Sequence, residues 1–335
     1  MTDKVHIGAR AVGSGESVFI IAEAGSNHNR KWEQAKHLIE AAAEAKADAV
    51  KFQLYAAGDL YPPGTPIYEV LKATELPVEW IPELADYAGK CGLIFFATPF
   101  SRAAVDCLAA IDTPVYKWAS SETVNLALLK YAAARRKPVL LSTGMCDLAD
   151  VHEAIEVIRS EGNDDIILLQ CTSVYPADPR QVHLRAMDTL RWAFHLPVGF
   201  SDHTMSLVIP AAAVARGACV IEKHITIDRR LEGPDHIYAL EPREFRSMVE
   251  GIRATEEALG SAVKTMLAEE ALYARRMSLR AVRDIEAGEV INPGDIMVER
   301  PADGIRPRFR DAVIGRQTRK AIAEGEAITW DSIAV

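Results

Sequence analysis

The chain has 335 residues, with 38 Lys+Arg against 47 Asp+Glu for a formal net charge of −9, and 49% of its residues are hydrophobic. That length and apolar content allow a large core and exclude a disordered or collagen-like chain, while the acidic balance argues against nucleic acid or an anionic membrane surface as partner. The five cysteines show no CxxC spacing and the longest apolar run stops at Arg216, so the expectation is a cytoplasmic chain with reduced thiols and no membrane span.

Short apolar runs alternate with helical patterns as far as about residue 260. The runs fall at 18–22, 49–52, 94–97, 115–118, 139–141, 166–170, 198–200 and 220–222, and helical patterns follow at 32–45, 78–91, 102–111, 127–136, 147–161, 184–194, 207–216 and 242–259. Eight strands, each with its helix, predict a (β/α)8 TIM barrel rather than a doubly wound sheet, because no GxGxxG follows any strand. The near-continuous apolar character of the runs suits a parallel sheet covered by helices. An Ala/Glu-rich segment follows, and then short β-like runs separated by turns such as Asn292-Pro293-Gly294. The expected organisation is a barrel over 1–262, a linker over 263–277 and a small domain over 278–335, too small to be very stable alone.

In such a barrel the chemistry sits at the carboxyl ends of the strands, and here these ends are polar without exception. In order they carry Glu23, Lys51 and Gln53, Thr98, Lys117 with Ser120 and Glu122, Ser142, Ser173 with Tyr175, Ser201 with His203, and Glu222 with His224. Two lysines among hydroxyls make a cradle for phosphate or carboxylate, and their mutual repulsion implies that a ligand anion fills the gap between them. His203 and His224 end neighbouring strands, with Glu122 and Asp202 available at the same mouth. Mixed nitrogen and oxygen ligation of that kind suits Mn²⁺, Co²⁺, Fe²⁺ or Mg²⁺ better than a closed zinc site. His28 reads as a loop-fixing residue as readily as a substrate contact, and Asp235, after Gly233-Pro234, is placed to bind a polyol hydroxyl.

The segments AEAGSNHN, VKFQ, ATPFS, YKWASSE, LSTGM, CTSVYP, GFSDHT, IEKH and GPD, in that order, resemble the sialic acid synthase family. The tail RRMSLRAVRDIEAGEVINPGDIMVERPADGI resembles the family's antifreeze-like SAF domain. The resemblance implies condensation of phosphoenolpyruvate with an N-acylmannosamine-type sugar to a nine-carbon 2-keto-3-deoxy acid and phosphate. It implies that Lys51, Thr98, Lys117, Ser120, Ser142, Ser173, Tyr175 and Ser201 hold phosphoenolpyruvate. His203 and His224 then bind a divalent metal, Mn²⁺ first with Mg²⁺ or Co²⁺ as alternatives, and Glu122 stands beside the metal water and moves its proton. Glu23, Gln53, Tyr175 and Asp235 contact the sugar, joined by Arg300 from the partner chain of a domain-swapped homodimer.

Departures from the family pattern, Ala119 and Ser121 in place of glycines and a long loop over 61–77, bear on which sugar is taken. Two rivals stand beside this reading: another metal-dependent barrel aldolase or lyase, and an inactive sugar-binding homologue.

Overall fold

The computed structural model describes residues 4–272 and 276–334, in two compact units, 1–260 and 261–335. The first unit opens with a hairpin, β1 (Lys4–Ile7) and β2 (Arg10–Gly13), which the apolar pattern did not reveal. Eight parallel strands follow: β3 (Phe19–Gly25), β4 (Ala49–Leu54), β5 (Ile94–Pro99), β6 (Tyr116–Trp118), β7 (Val139–Ser142), β8 (Ile166–Cys171), β9 (Val198–Asp202) and β10 (Val220–His224). The sheet order is β5-β4-β3-β10-β9-β8-β7-β6, and its two end strands lie against each other, so the sheet curls into a nearly closed TIM barrel. Helices such as Trp32–Glu44, Leu148–Ser160 and Pro242–Leu259 cover it, each burying one apolar face.

Successive side chains of a strand point to opposite faces, so each barrel strand feeds two cores. Ile20, Val50, Leu141, Leu168 and Ile221 pack outward against the helices. Phe19, Ile21, Ala49, Phe96, Val115, Leu140, Ile167, Leu169 and Val220 point inward and join Val5, Ile7 and Val12 of the hairpin in a second cluster. The hairpin therefore plugs the amino end of the barrel with apolar side chains. Gly199 sits where this inner packing is tightest: a Cβ there would lie 2.6 Å from Val220 Cβ and 2.7 Å from Leu169 Cδ2.

Two residues further along, the same inward face carries Glu23, Lys51, Thr98, Lys117, Ser142, Ser201 and Glu222, with Cys171 in this position on β8; all but Cys171 and Glu222 are predicted site residues. Register sets the neighbours, with Glu23 beside Lys51, Ser201 beside Glu222 and Glu23 beside His224.

The second unit pairs β11 (Ser278–Ala281) antiparallel with β12 (Ile296–Glu299). Isolated bridges, Ile285 to Ile322 and Val290 to Gln317 among them, complete its framework. Its own core gathers Leu279, Ala281, Ile285, Ile291, Ile305, Val313, Ile322, Ile328 and Ile333. No helix among the described residues is long and apolar enough to cross a membrane.

Candidate active site at the carboxyl end of the barrel

Four charged side chains, each at most 4% exposed, form the floor of the mouth. Lys51 Nζ lies 2.9 Å from Glu23 Oε2 and 3.6 Å from Glu222 Oε2, and donates to Thr98 Oγ1 at 3.0 Å. Lys117 Nζ lies 3.4 Å from Glu222 Oε1 and 3.4 Å from the Trp118 carbonyl. Ser201 Oγ donates to Glu222 Oε1 at 2.8 Å, and Gln53 Nε2 donates to Glu23 Oε1 at 2.9 Å. The anion between the two lysines is thus the protein's own. This corrects the argument from repulsion: Glu222 already spans the gap that a ligand was expected to fill.

The charge balance nonetheless favours a further anion. Burial raises the Glu222 carboxyl, but Lys117 and Lys51 outweigh it and hold the group well below the ordinary range, at about 2. Burial pushes Glu23 upward, with Lys51 opposing and Glu222 adding, so this second carboxyl is the easier of the two to protonate. Two ammonium groups therefore face one firmly ionised carboxylate.

Hydroxyl groups supply the rest of the cradle. Ser142 Oγ and Ser173 Oγ are buried without any partner, an arrangement that costs free energy unless a ligand or solvent answers it. Ser120 Oγ accepts from the Gly144 backbone N–H at 3.0 Å, which leaves its own proton free to donate. A side chain at Gly144 would collide with the Ser173 and Ser120 hydroxyls, so glycine is what allows the two to converge.

The imidazoles form the other wall. His203 and His224 lie 5.5 Å apart, centroid to centroid, with Tyr175 stacked 4.2 Å from His203 and Tyr238 4.9 Å from His224. His203 Nδ1 is 2.8 Å from the Thr172 carbonyl, an acceptor only, so Nδ1 donates there and Nε2 is the ring nitrogen available to a ligand. Burial pushes His224 down to about 4, against the pull of Asp235, so its ring is neutral at pH 7, and its Nδ1 has no partner. Among the described residues no three His, Cys, Asp or Glu side chains are grouped to hold an ion by themselves. The two imidazoles fit an ion that takes its remaining ligands from water and substrate.

A cavity of about 440 Å³ opens here, lined by Gln53, Ser120, Ser173, Tyr175, His224, Asp235 and Tyr238 among others. Asp235 accepts from the Ser26 N–H at 3.1 Å and from Tyr238 OH at 2.5 Å, so it is held at the rim. A larger hollow of about 810 Å³ lies near the amino end, around Gly15, Trp192 and Cys219, and none of its lining residues carries a buried side-chain polar atom lacking a partner. The convergent chemistry is at the mouth.

Several expected residues stand elsewhere. Glu122 closes the short 3-10 turn Ser120–Glu122 after β6, accepts from Asn125 Nδ2 at 3.1 Å and is partly exposed, next in sequence to the cavity-lining Ser120 and Ser121. Asp202 points to the outer face of β9, where Lys223 Nζ reaches its Oδ2 at 2.6 Å, so alternation removes it from the metal side. His28 Nδ1 accepts from the Arg30 N–H at 3.0 Å, as a loop-fixing residue does. Arg300 is exposed in the second unit, just beyond β12. Tyr238 was not singled out from sequence, and Glu222 was named only as a polar strand end, without a role. For Glu222 the signal was available, since Val220, Glu222 and His224 share one face of a strand.

A nearly closed barrel with buried ammonium groups, unpartnered hydroxyls and two imidazoles at its carboxyl end has the layout of a TIM-barrel enzyme. The NeuB family model matches residues 38–264 and the SAF domain model matches residues 276–334. The chain belongs to the NeuB family, and it is an enzyme of the transferase class. It is 39% identical to the N,N'-diacetyllegionaminic acid synthase of Legionella pneumophila, over 97% of each chain. The crystal structure of spore coat polysaccharide biosynthesis protein SpsE from Bacillus subtilis is 38% identical, covering 99% of both chains with a TM-score of 0.71. That of the N-acetylneuraminic acid synthetase of Leptospira borgpetersenii in complex with citrate is 33% identical, covering 81% of this chain and 94% of that one with a TM-score of 0.76.

Proposed function

We propose that the chain condenses phosphoenolpyruvate with an N-acylmannosamine-type hexose, giving a nine-carbon 2-keto-3-deoxy acid and phosphate for surface polysaccharide. The observation that carries this reading is one mouth holding both an anion cradle with unanswered hydroxyls and a pair of imidazoles. The legionaminic acid synthase relative supports a diacetamido-trideoxy hexose as acceptor.

In this reading Lys117, Ser120, Ser142 and Ser173 bind phosphoenolpyruvate, backed by Lys51, Thr98 and Ser201. Tyr175 stacks over the mouth, while Gln53, Glu23 and Asp235 orient the open-chain sugar. C3 of phosphoenolpyruvate attacks the C1 aldehyde, water adds at C2, and C–O cleavage releases phosphate. A divalent ion on His203 and His224, Mn²⁺ first, supplies Lewis acidity for the carbonyl when bound. Glu122 moves the proton of the attacking water, and Glu23, raised by burial, is the second carboxyl of the mouth able to carry one. The fixed lysines and hydroxyls stabilise the developing charge without reorganisation, and holding two reactants together supplies much of the rate.

The test is phosphate release from phosphoenolpyruvate with Mn²⁺, with and without EDTA. The acceptors are N-acetylmannosamine, its 6-phosphate and the diacetamido-trideoxy hexoses. The expected result is EDTA-sensitive release with one sugar and a product mass equal to sugar plus pyruvate. Release with none would sink the condensation reading and bring forward the rival aldolase or binding protein.

Assembly as a domain-swapped homodimer, the small domain of one chain over the mouth of the other, belongs to the same proposal. Exposed apolar side chains on the loops after the strands support it, among them Ile67, Val70, Val124, Met145, Val208 and Ile237, a fringe that a covering protein surface would bury. Arg300 then reaches the partner's sugar. Arg300→Ala is expected to weaken the sugar and not phosphoenolpyruvate. Mixing it with a Lys117→Met chain should restore about a quarter of the wild-type sites, because half the dimers are mixed and each carries one intact site. No restoration would mean that the small domain acts on its own barrel.

A further inference from the structure

Glu222 is the one buried charge of the mouth to which the proposed reaction gives no part, yet it has three polar partners there, as many as Lys51. Its Oε1 accepts from Ser201 Oγ at 2.8 Å and stands 3.4 Å from Lys117 Nζ, while its Oε2 stands 3.6 Å from Lys51 Nζ. The side chain is 5% exposed, so these interactions are poorly screened by solvent. The two lysines differ in what they have left to offer. Lys51 has three donors and three acceptors, Glu23, Thr98 and Glu222, and is committed within the protein. Lys117 has two long contacts, at 3.4 Å each, and Ser142 and Ser173 stand unpartnered at neighbouring strand ends.

We propose that Glu222 is the positioning residue of the cradle: it holds the two buried ammonium groups together against their mutual repulsion, so that Lys117 presents its spare protons to the incoming phosphoenolpyruvate. The inference rests on the reading of the mouth as a phosphoenolpyruvate site. Ser201 belongs to this device rather than to the ligand, since its hydroxyl proton is already directed at Glu222. Without the carboxylate, Lys117 keeps only the Trp118 carbonyl and faces Lys51 with nothing between them. The opposite role, an internal anion that competes with the ligand for Lys117, predicts the opposite sign and is distinguishable.

The experiment uses the full chain with Glu222→Gln, which keeps the shape and an acceptor for Ser201 but removes the charge, and Glu222→Asp, which keeps the charge. Ser201→Ala frees Glu222 from its anchor while leaving the charge in place, and serves as well if Glu222→Gln does not fold. Phosphoenolpyruvate binding is read by calorimetry in EDTA, and the KM values for phosphoenolpyruvate and sugar by phosphate release. Glu222→Gln is expected to weaken phosphoenolpyruvate about tenfold or more, with the sugar KM unchanged, Glu222→Asp recovering part of the loss and Ser201→Ala showing a smaller loss of the same sign. A role confined to stability would lower the melting temperature and leave this split absent. Unchanged or tighter binding in Glu222→Gln overturns the proposal. Wild-type binding without phosphate release from any sugar defeats the condensation reading and still scores Glu222, whereas wild type that binds no phosphoenolpyruvate defeats both.

Discussion

Lys117→Met is expected to raise the KM for phosphoenolpyruvate about 100-fold, leave the KM for the sugar near its wild-type value, and change the melting temperature little. The first effect follows from geometry. Lys117 Nζ is buried, its two protein contacts are both 3.4 Å long, and the hydroxyls of Ser142 and Ser173 stand unpartnered in the same mouth. Losing a charge-assisted donor to a phosphate or carboxylate in a site shielded from water costs about 3 kcal/mol, which corresponds to that fold-change. The small effect on stability follows from cancellation. Methionine fills a similar volume, and removing a buried ammonium recovers its desolvation cost while forfeiting the attraction to Glu222. The same burial, opposed by Glu222 and reinforced by Lys51, holds the Lys117 ammonium below the ordinary lysine range. The wild-type KM for phosphoenolpyruvate should therefore rise on the alkaline side at a lower pH than an exposed lysine would titrate. Steady-state kinetics across pH, with thermal melts of both proteins, check all three points. A wild-type KM in Lys117→Met would place the anion elsewhere in the mouth.

His224→Ala is expected to cut metal-dependent phosphate release about 100-fold or more and to weaken Mn²⁺ binding, with the barrel intact. His224 ends β10 on its inward face, next to Tyr238 and 5.5 Å from His203, where it packs at the rim of the core and not in its centre. Truncation leaves a small hole beneath Tyr238, costing about 1–2 kcal/mol, well short of unfolding a barrel of this size. Calorimetric titration of Mn²⁺ into chelator-treated wild type and variant gives a readout independent of turnover. Equal Mn²⁺ affinity in the two proteins would show that the imidazole pair does not hold the ion. Circular dichroism of the variant separates loss of a ligand from loss of fold.

Much of this site could be read from the sequence because a parallel barrel imposes a simple rule. The chain delivers one short strand after another to the same mouth, so strand-end residues far apart in sequence become neighbours. Lys117, Ser142, Ser201, His203 and His224 were legible on that ground, each in the last two residues of its strand or just beyond it, while Lys51 sits mid-strand in β4 on the same inward face. Period-two alternation could have gone further. It sorts Glu222 inward with His224 and sends Asp202 and Lys223 outward as a pair, a distinction visible in the order of the residues alone. Glu122 marks the limit of the rule, because it lies in a loop past the end of its strand, where no period governs direction and the side chain turned to Asn125.

What the amino-acid order determined by itself was the eight barrel strands with their covering helices, their parallel arrangement, the polar layer at the strand ends and the small second unit, but not the opening hairpin or the helix Pro66–Ala73 inside the expected loop. These follow from local apolar runs and from the geometry of the backbone, which are properties of short segments. Only the tertiary structure decided which charges neutralise one another. That the lysines are bridged by Glu222, that Ser201 serves Glu222, and that Ser142 and Ser173 remain unanswered depend on barrel register and on distances of 3–4 Å between strands. Electrostatic energy varies steeply over such distances in a buried site, so residue types alone fix the candidates, and the packing selects the pairs.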